Sequence, residues 1–236
     1  DLSAMYMRVK EQNMISQGQY HNPLVAVYLF PAGDDFSKLG YYERYDSNRN
    51  FPVQYWPYAN DMSMENPYWI TERERFVNHK TRNQVTASLN YKINDWLDVT
   101  GRVKYDKSSN KYEYKFHAST NLLYASKYGA YKHVTEDYTQ MFAEAFLKAN
   151  KYFADETWNV SGVLGTSYTQ NDYEPFGFEG HLLGTANIFT FENVKTSDAN
   201  FKKYQDHGYR TSLESVDGTA QIGYRSMAYI DLTARN

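Results

Sequence analysis

Between Asn83 and Asp106 apolar and polar residues alternate with a period of two. The odd positions Val85, Ala87, Leu89, Tyr91 and Ile93 face the polar set Thr86, Ser88, Asn90 and Lys92. After Asn94-Asp95-Trp96 the odd positions Leu97, Val99, Gly101, Val103 and Tyr105 oppose Asp98, Thr100, Arg102 and Lys104. This pattern predicts two strands, each apolar on one face and polar on the other. Each arm is about ten residues, the length of a strand that crosses a bilayer. One hairpin of a soluble β-sandwich alternates in the same way.

Parity sizes the turn. Opposed residues point to one face, so two odd-numbered apolar sets need an odd number of loop residues. A loop of three residues (Asn94–Trp96) or of five fits; a two-residue loop does not.

The pattern recurs at Tyr138–Ala149, where Met141, Ala143, Ala145 and Leu147 oppose Gln140, Glu144 and Lys148, with Phe142 and Phe146 out of phase. It returns at Thr157–Thr169 (Trp158, Val160, Gly162, Leu164 and Tyr168) with changed parity, so the turn around Tyr152–Asp155 should hold an even number of residues. Glu214–Arg225 and Ala228–Arg235 repeat it around a three-residue turn, Arg225–Met227. Elsewhere no period is clean. Residues 2–15 read as a short helix, and Tyr41–Trp69, Lys107–Asp137 and Gln170–Gly208 read as irregular segments. Connections thus alternate short and long, as in outer-membrane barrels. The expected layout places residues 1–82 mostly in an extracellular loop region, with barrel hairpins at 83–106, 138–169 and 212–236. The fold class is all-β, a segment of a large antiparallel transmembrane barrel.

Composition narrows the classes. No run of about eighteen apolar residues exists among the 236, so no transmembrane helix is predicted, which leaves a barrel open. The 24 Tyr and 4 Trp suit interfacial girdles or a ligand surface. With no Cys a disulfide scaffold is excluded, and a net charge of -3 offers no footprint for nucleic acid. The chain starts at Asp1 and stops at Asn236 inside a strand-like run, as expected of a piece of a longer protein.

Catalytic chemistry is not visible. The six His residues are scattered, with no zinc-ligand spacing, so neither metal nor cofactor is expected. There is no phosphate loop, no Gly-x-Ser-x-Gly and no cysteine nucleophile. The acid pairs Asp34-Asp35 and Glu72/Glu74 read as solvated loop carboxylates rather than calcium ligands or a glycosidase dyad. An enzyme is not expected.

Several runs, in order, resemble an internal piece of the SusC/RagA-type TonB-linked outer-membrane transporters of Bacteroidetes. They are Asn22–Phe36 (NPLVAVYLFPAGDDF), Asn66–Trp69 (NPYW), Asp95–Asp106 (DWLDVTGRVKYD), Ala186–Phe189 (ANIF) and Ile230–Asn236 (IDLTARN). The resemblance implies a 22-stranded barrel closed by an N-terminal plug. It further implies a place in the cell outer membrane, import of oligosaccharides or peptides driven through TonB, and a SusD-type surface lipoprotein as lid. The plug and the TonB box are absent from this chain, so contact with the TonB complex would come through a missing N-terminal region.

Candidate site residues follow from parity and loop position. Asn90, Lys92, Arg102, Lys104, Glu144 and Arg235 would face the lumen or the plug. Tyr41, Tyr42, Trp56, Tyr58 and Trp69 would stack on substrate, meet the lipoprotein lid, or pack within the loops. The rival reading is a soluble all-β carbohydrate-binding module using the same aromatics. The first hairpin separates them: a module buries its odd set against a second sheet, and a barrel wall exposes it to lipid. On the barrel reading, arginine at Leu89 or Val99 should block assembly, and arginine at Ser88 or Thr100 should be better tolerated.

Overall fold

The computed structural model describes residues 1–14, 21–56, 65–205 and 207–236. In chain order its elements are β1 (Leu2–Gln12), α1 (Pro23–Tyr28), a 3-10 turn Phe36–Gly40, β2 (Glu43–Asp46), β3 (Phe51–Gln54) and α2 (Pro67–Arg73). Then come β4 (Glu74–Asn94), β5 (Leu97–His117), β6 (Gly129–Phe153), β7 (Trp158–His181), a 3-10 turn Phe191–Asn193, β8 (Lys202–Lys203), β9 (Tyr209–Tyr224) and β10 (Ala228–Arg235). One antiparallel sheet runs β1-β4-β5-β6-β7-β9-β10, with β8 paired to β7; β2 and β3 form a separate hairpin. The large sheet is all-β and open, with β1 and β10 at its edges.

The turns obey the parity argument. Asn94 pairs with Leu97 around a two-residue turn, Asp95-Trp96, and a register shift at Ile93 supplies the odd residue that keeps Lys92 opposite Asp98 and both apolar sets on one face. Phe153 pairs with Trp158 and Tyr224 with Ala228, enclosing four and three residues. These tight turns share one end of the sheet.

Three expectations change. Residues 2–12 are an edge strand paired along its length with β4, not a helix. Leu2 and Tyr6 are exposed on one face, but Met5 and Met7 occupy the other, so backbone pairing rather than a one-sided apolar stripe sets this strand. The segments Lys107–Asp137 and Gln170–Gly208 are largely strand: β5 continues to His117, β6 starts at Gly129, and β7 continues to His181. Their irregular stretches shrink to 118–128 and 182–201. The cause is an inversion of phase. Below Asp106 the apolar residues of β5 are odd; above it the aromatics Tyr112, Tyr114 and Phe116 are even, on the opposite face. A period scanned as one stripe vanishes where the stripe changes sides. Third, the region 1–82 contributes β1 and the beginning of β4 to the main sheet as well as loops.

The two ends of the sheet are packed differently. The buried apolar residues Leu39, Trp69, Ala118, Ala125, Val134, Leu182 and Val194 gather at the loop end. There α1, α2, the β2–β3 hairpin and the stretches 118–128 and 182–201 fold over the strands. Trp69 Nε1 donates to Thr120 Oγ1 (3.0 Å), Gln54 N to Ser119 Oγ (3.0 Å), and Ala118 N to Asn187 Oδ1 (2.7 Å). Asn66, 0% exposed, accepts from Tyr68 N to cap α2 while its amide donates to the carbonyls of Leu39 and Tyr55. Toward the tight turns the buried side chains are polar: Thr100, Asp106 and Ser215.

Candidate functional site: a two-faced wall and its loop cap

The register assigns every strand residue to a face. One face carries Val85, Leu89, Tyr91, Val103, Tyr105, Met141, Leu147, Trp158, Val160, Leu164, Val216, Ile222, Ile230 and Leu232, all exposed. Leu89 is 71% exposed and Leu164 60%. Among the described residues no second sheet covers this band. In water each large side chain so placed forgoes roughly 1.5–3 kcal/mol of burial. Hydrocarbon removes that penalty.

The band is oblique to the register. Its last apolar residue is Tyr105 on β5 but Val216 on β9, and the row of Val216 passes through Thr166 and Ala145 to Gly101. At the other margin it reaches Tyr91 on β4 and extends on to Trp158 and Tyr224 on β7 and β9. A level slab crossing tilted strands produces this stagger, and barrel closure requires the tilt. Beyond the band the same face turns charged, with the pairs Lys107–Asp137 (3.4 Å) and Arg210–Asp172 (2.5 Å).

The opposite face is polar and cross-linked. Arg102 and Glu144, both expected there, meet across β5 and β6 at 2.8 Å. Thr100 donates to Asn90 at 2.6 Å. Lys104 reaches Asp106 at 3.4 Å, and Arg82 grips the same carboxylate with Nε and Nη2 at 2.9 and 2.6 Å. Lys92 turns to Asp95 beside the tight turn (3.0 Å), and Arg235 is exposed near the end of β10, opposite Asp217. Phe142 and Phe146 share this face with Lys104 and Thr100, and Lys148 lies over the Phe146 ring at 5.1 Å. Sequence reasoning placed Gln140 on this face but missed Arg82, Asp106 and Asn171, which join it through the register. Gln140 donates to Asn171 at 2.9 Å. Higher up, burial and the Glu136 carboxylate push the Tyr112 hydroxyl up to about 12.

The five aromatic candidates separate. Tyr41 is 60% exposed beside Tyr55, over which the Arg44 guanidinium lies at 3.2 Å. Tyr42 and Trp56 are half-buried. Trp69 is 1% exposed, its ring enclosed by the cap, which matches packing within the loops rather than contact with a ligand. Tyr58 lies outside the described residues.

Sequence spacing hid one cluster entirely. Glu72 is solvated, but Glu74 is 0% exposed at the first residue of β4. His21 Nδ1 lies 2.6 Å from Glu74 Oε2, and the ligating atoms of His21, Glu65 and Glu74 all fall within 4.8 Å of one another. Burial dominates their titration. It lowers His21, and together with the Glu74 charge it pushes Glu65 up to about 9; Glu74 rises to about 7. A raised carboxyl stabilises the fold fully below its unfolded value, and that contribution is lost as pH rises through the folded value. The lowered His21 acts oppositely, but only below about its ordinary 6.5. In EDTA, protection factors for hydrogen exchange over residues 65–73, corrected for the base-catalysed intrinsic rate, should therefore fall between pH 7 and 9. Glu65→Gln should flatten that fall; an unchanged profile would exclude Glu65 as its source.

The fold is that of a piece of barrel wall with a structured loop cap, and comparison with solved structures agrees. The chain is similar to the RagAB peptide transporter (TM-score 0.55, 13% identity, 81% of this chain and 21% of that one). It is also similar to the RagAB peptide importer in its open-open state (0.59, 14%, 100% and 25%) and in its closed-closed state (0.54, 14%, 78% and 20%). The chain thus spans a quarter or less of the chains it matches. No family model and no curated protein matches it.

Proposed function

We propose that this chain is part of the wall and outer loops of a TonB-dependent outer-membrane importer of the SusC/RagA type. The observation that carries the reading is the exposed apolar band, stepped obliquely across the register and backed by a polar, ion-paired face. A soluble carbohydrate-binding module would need that band covered. In this reading the chain is not an enzyme; it holds a barrel together and helps shape a path. The likeness to RagAB favours peptides over oligosaccharides as cargo. A SusD-type lipoprotein would close over the loop end, where Tyr41 and Arg44 are exposed.

Cells lacking the full-length protein should lose energy-dependent uptake of labelled oligopeptides and keep uptake of oligosaccharides. Loss of the latter alone would reverse the cargo assignment, and no loss of either would sink the importer reading. Topology gives a second check. In intact cells a membrane-impermeant maleimide should label Ser47→Cys and Ser197→Cys of the full-length protein. Asp95→Cys and Ser226→Cys, in tight turns, should label only after the outer membrane is permeabilised. Labelling at all four positions in intact cells would contradict a spanning sheet.

A further inference from the structure

His21 precedes α1, Glu65 precedes α2, and Glu74 opens β4, so three remote points of the chain converge beneath the loop cap. We propose that this cluster binds one divalent transition-metal ion, of which zinc is the best fit, as a staple of the cap. One imidazole nitrogen with two carboxylate oxygens is a donor set for zinc, whereas calcium takes six to eight oxygens. The three donors lie within 4.8 Å of one another; zinc at ~2.0–2.2 Å from each ligand holds its donors about 3.4 Å apart, so the ion would replace the hydrogen bond between His21 Nδ1 and Glu74 Oε2 (2.6 Å) and part these two atoms slightly.

The site is built rather than accidental. Glu74 is fully enclosed, directs one oxygen at His21 and hydrogen-bonds with the Glu65 carboxyl; among the described residues no N–H or hydroxyl donor reaches its Oε1, and Nε2 of His21 is buried without a partner. Buried polar atoms are nearly always satisfied, and a cation would satisfy this carboxylate. Glu65 Oε1 accepts from Asn121 N (2.7 Å) and Gln54 Nε2 (3.1 Å), outer bonds of the kind that orient metal ligands. Phe76, Phe116 and Tyr124 pack around the His21 ring, with centroids at 5.7, 5.1 and 4.0 Å. They fix the imidazole and limit water. Imidazole and carboxylates bind a metal ion deprotonated, so affinity should rise with pH. The ion would tie the segment before α1 to both α2 and β4, closing loops that otherwise cost chain entropy.

The test uses full-length protein in detergent, stripped with EDTA and titrated with zinc sulfate alone. Wild type should hold one more zinc per chain than His21→Ala. The variant should weaken that site by more than the ~100-fold that loss of an outer partner can cost. Wild-type affinity should tighten from pH 6 to pH 8. Equal zinc content and affinity in the two proteins would overturn the proposal. If His21→Ala fails to assemble, zinc-edge absorption of wild type decides: a shell of oxygen with an imidazole supports the site. A shell without imidazole, or no retained zinc, refutes it. The site does not depend on the importer reading, because zinc binding and peptide uptake are separate readouts.

Discussion

Leu89→Arg in the full-length protein should abolish assembly in the outer membrane, and Leu164→Arg should do the same. Both side chains project from the exposed band, 71% and 60% open, on neighbouring parts of the sheet. A charge near the bilayer midplane on the lipid face costs ~2–4 kcal/mol, comparable to much of a domain's net stability. Controls must come from the opposite face, and the structure changes which are suitable. Ser88 sits opposite Arg102, so arginine there meets a like charge. Thr100 is 8% exposed and donates to Asn90, so arginine there would displace a buried contact. Gln221 is the better control, since it already donates to Asp231 (2.7 Å) and an arginine can keep that partner. Heat-modifiable migration of membrane-extracted protein should show Gln221→Arg assembled and Leu89→Arg lost. Equal assembly of the two would mean that the band does not face lipid.

Trp69→Ala should destabilise the loop cap by about 3–5 kcal/mol while the barrel still assembles. The indole is 1% exposed, and its Nε1 donates to Thr120 Oγ1, which is itself nearly buried. Truncation would leave a cavity between α2 and the stretch 118–128 and strip Thr120 of its donor. The strands below the cap are held by continuous ladders that do not involve Trp69. Protease should therefore cut the variant in α2 or 118–128 under conditions that leave wild type intact, with unchanged heat-modifiability. A cap equally resistant in both proteins, with weaker ligand uptake in the variant, would instead make Trp69 a contact residue.

The hairpins were legible because a strand with one apolar and one polar face has a period of two. That same logic yielded Arg102, Glu144 and Lys104 as residues of one face, and parity gave the even turn at 154–157 and the three-residue turn at 225–227; at the first hairpin the odd residue is an irregularity at Ile93 beside a two-residue turn. It failed at Leu2–Gln12, an edge strand with apolar side chains on both faces. It failed again above Asp106, where the aromatics of β5 move to the opposite face.

The sequence by itself determined where the one-sided strands lie and which side of each is apolar, because those follow from local alternation. Only the tertiary structure decided who meets whom. Arg82 and Asp106 become a pair through register, and Trp69 becomes core rather than surface through the fold of the cap. His21 and Glu74 come within 2.6 Å across a chain separation that no spacing rule covers. Contacts of that kind depend on how long loops close over a sheet. Loop closure costs little more for a long segment than for a short one, so sequence distance carries almost no trace of them.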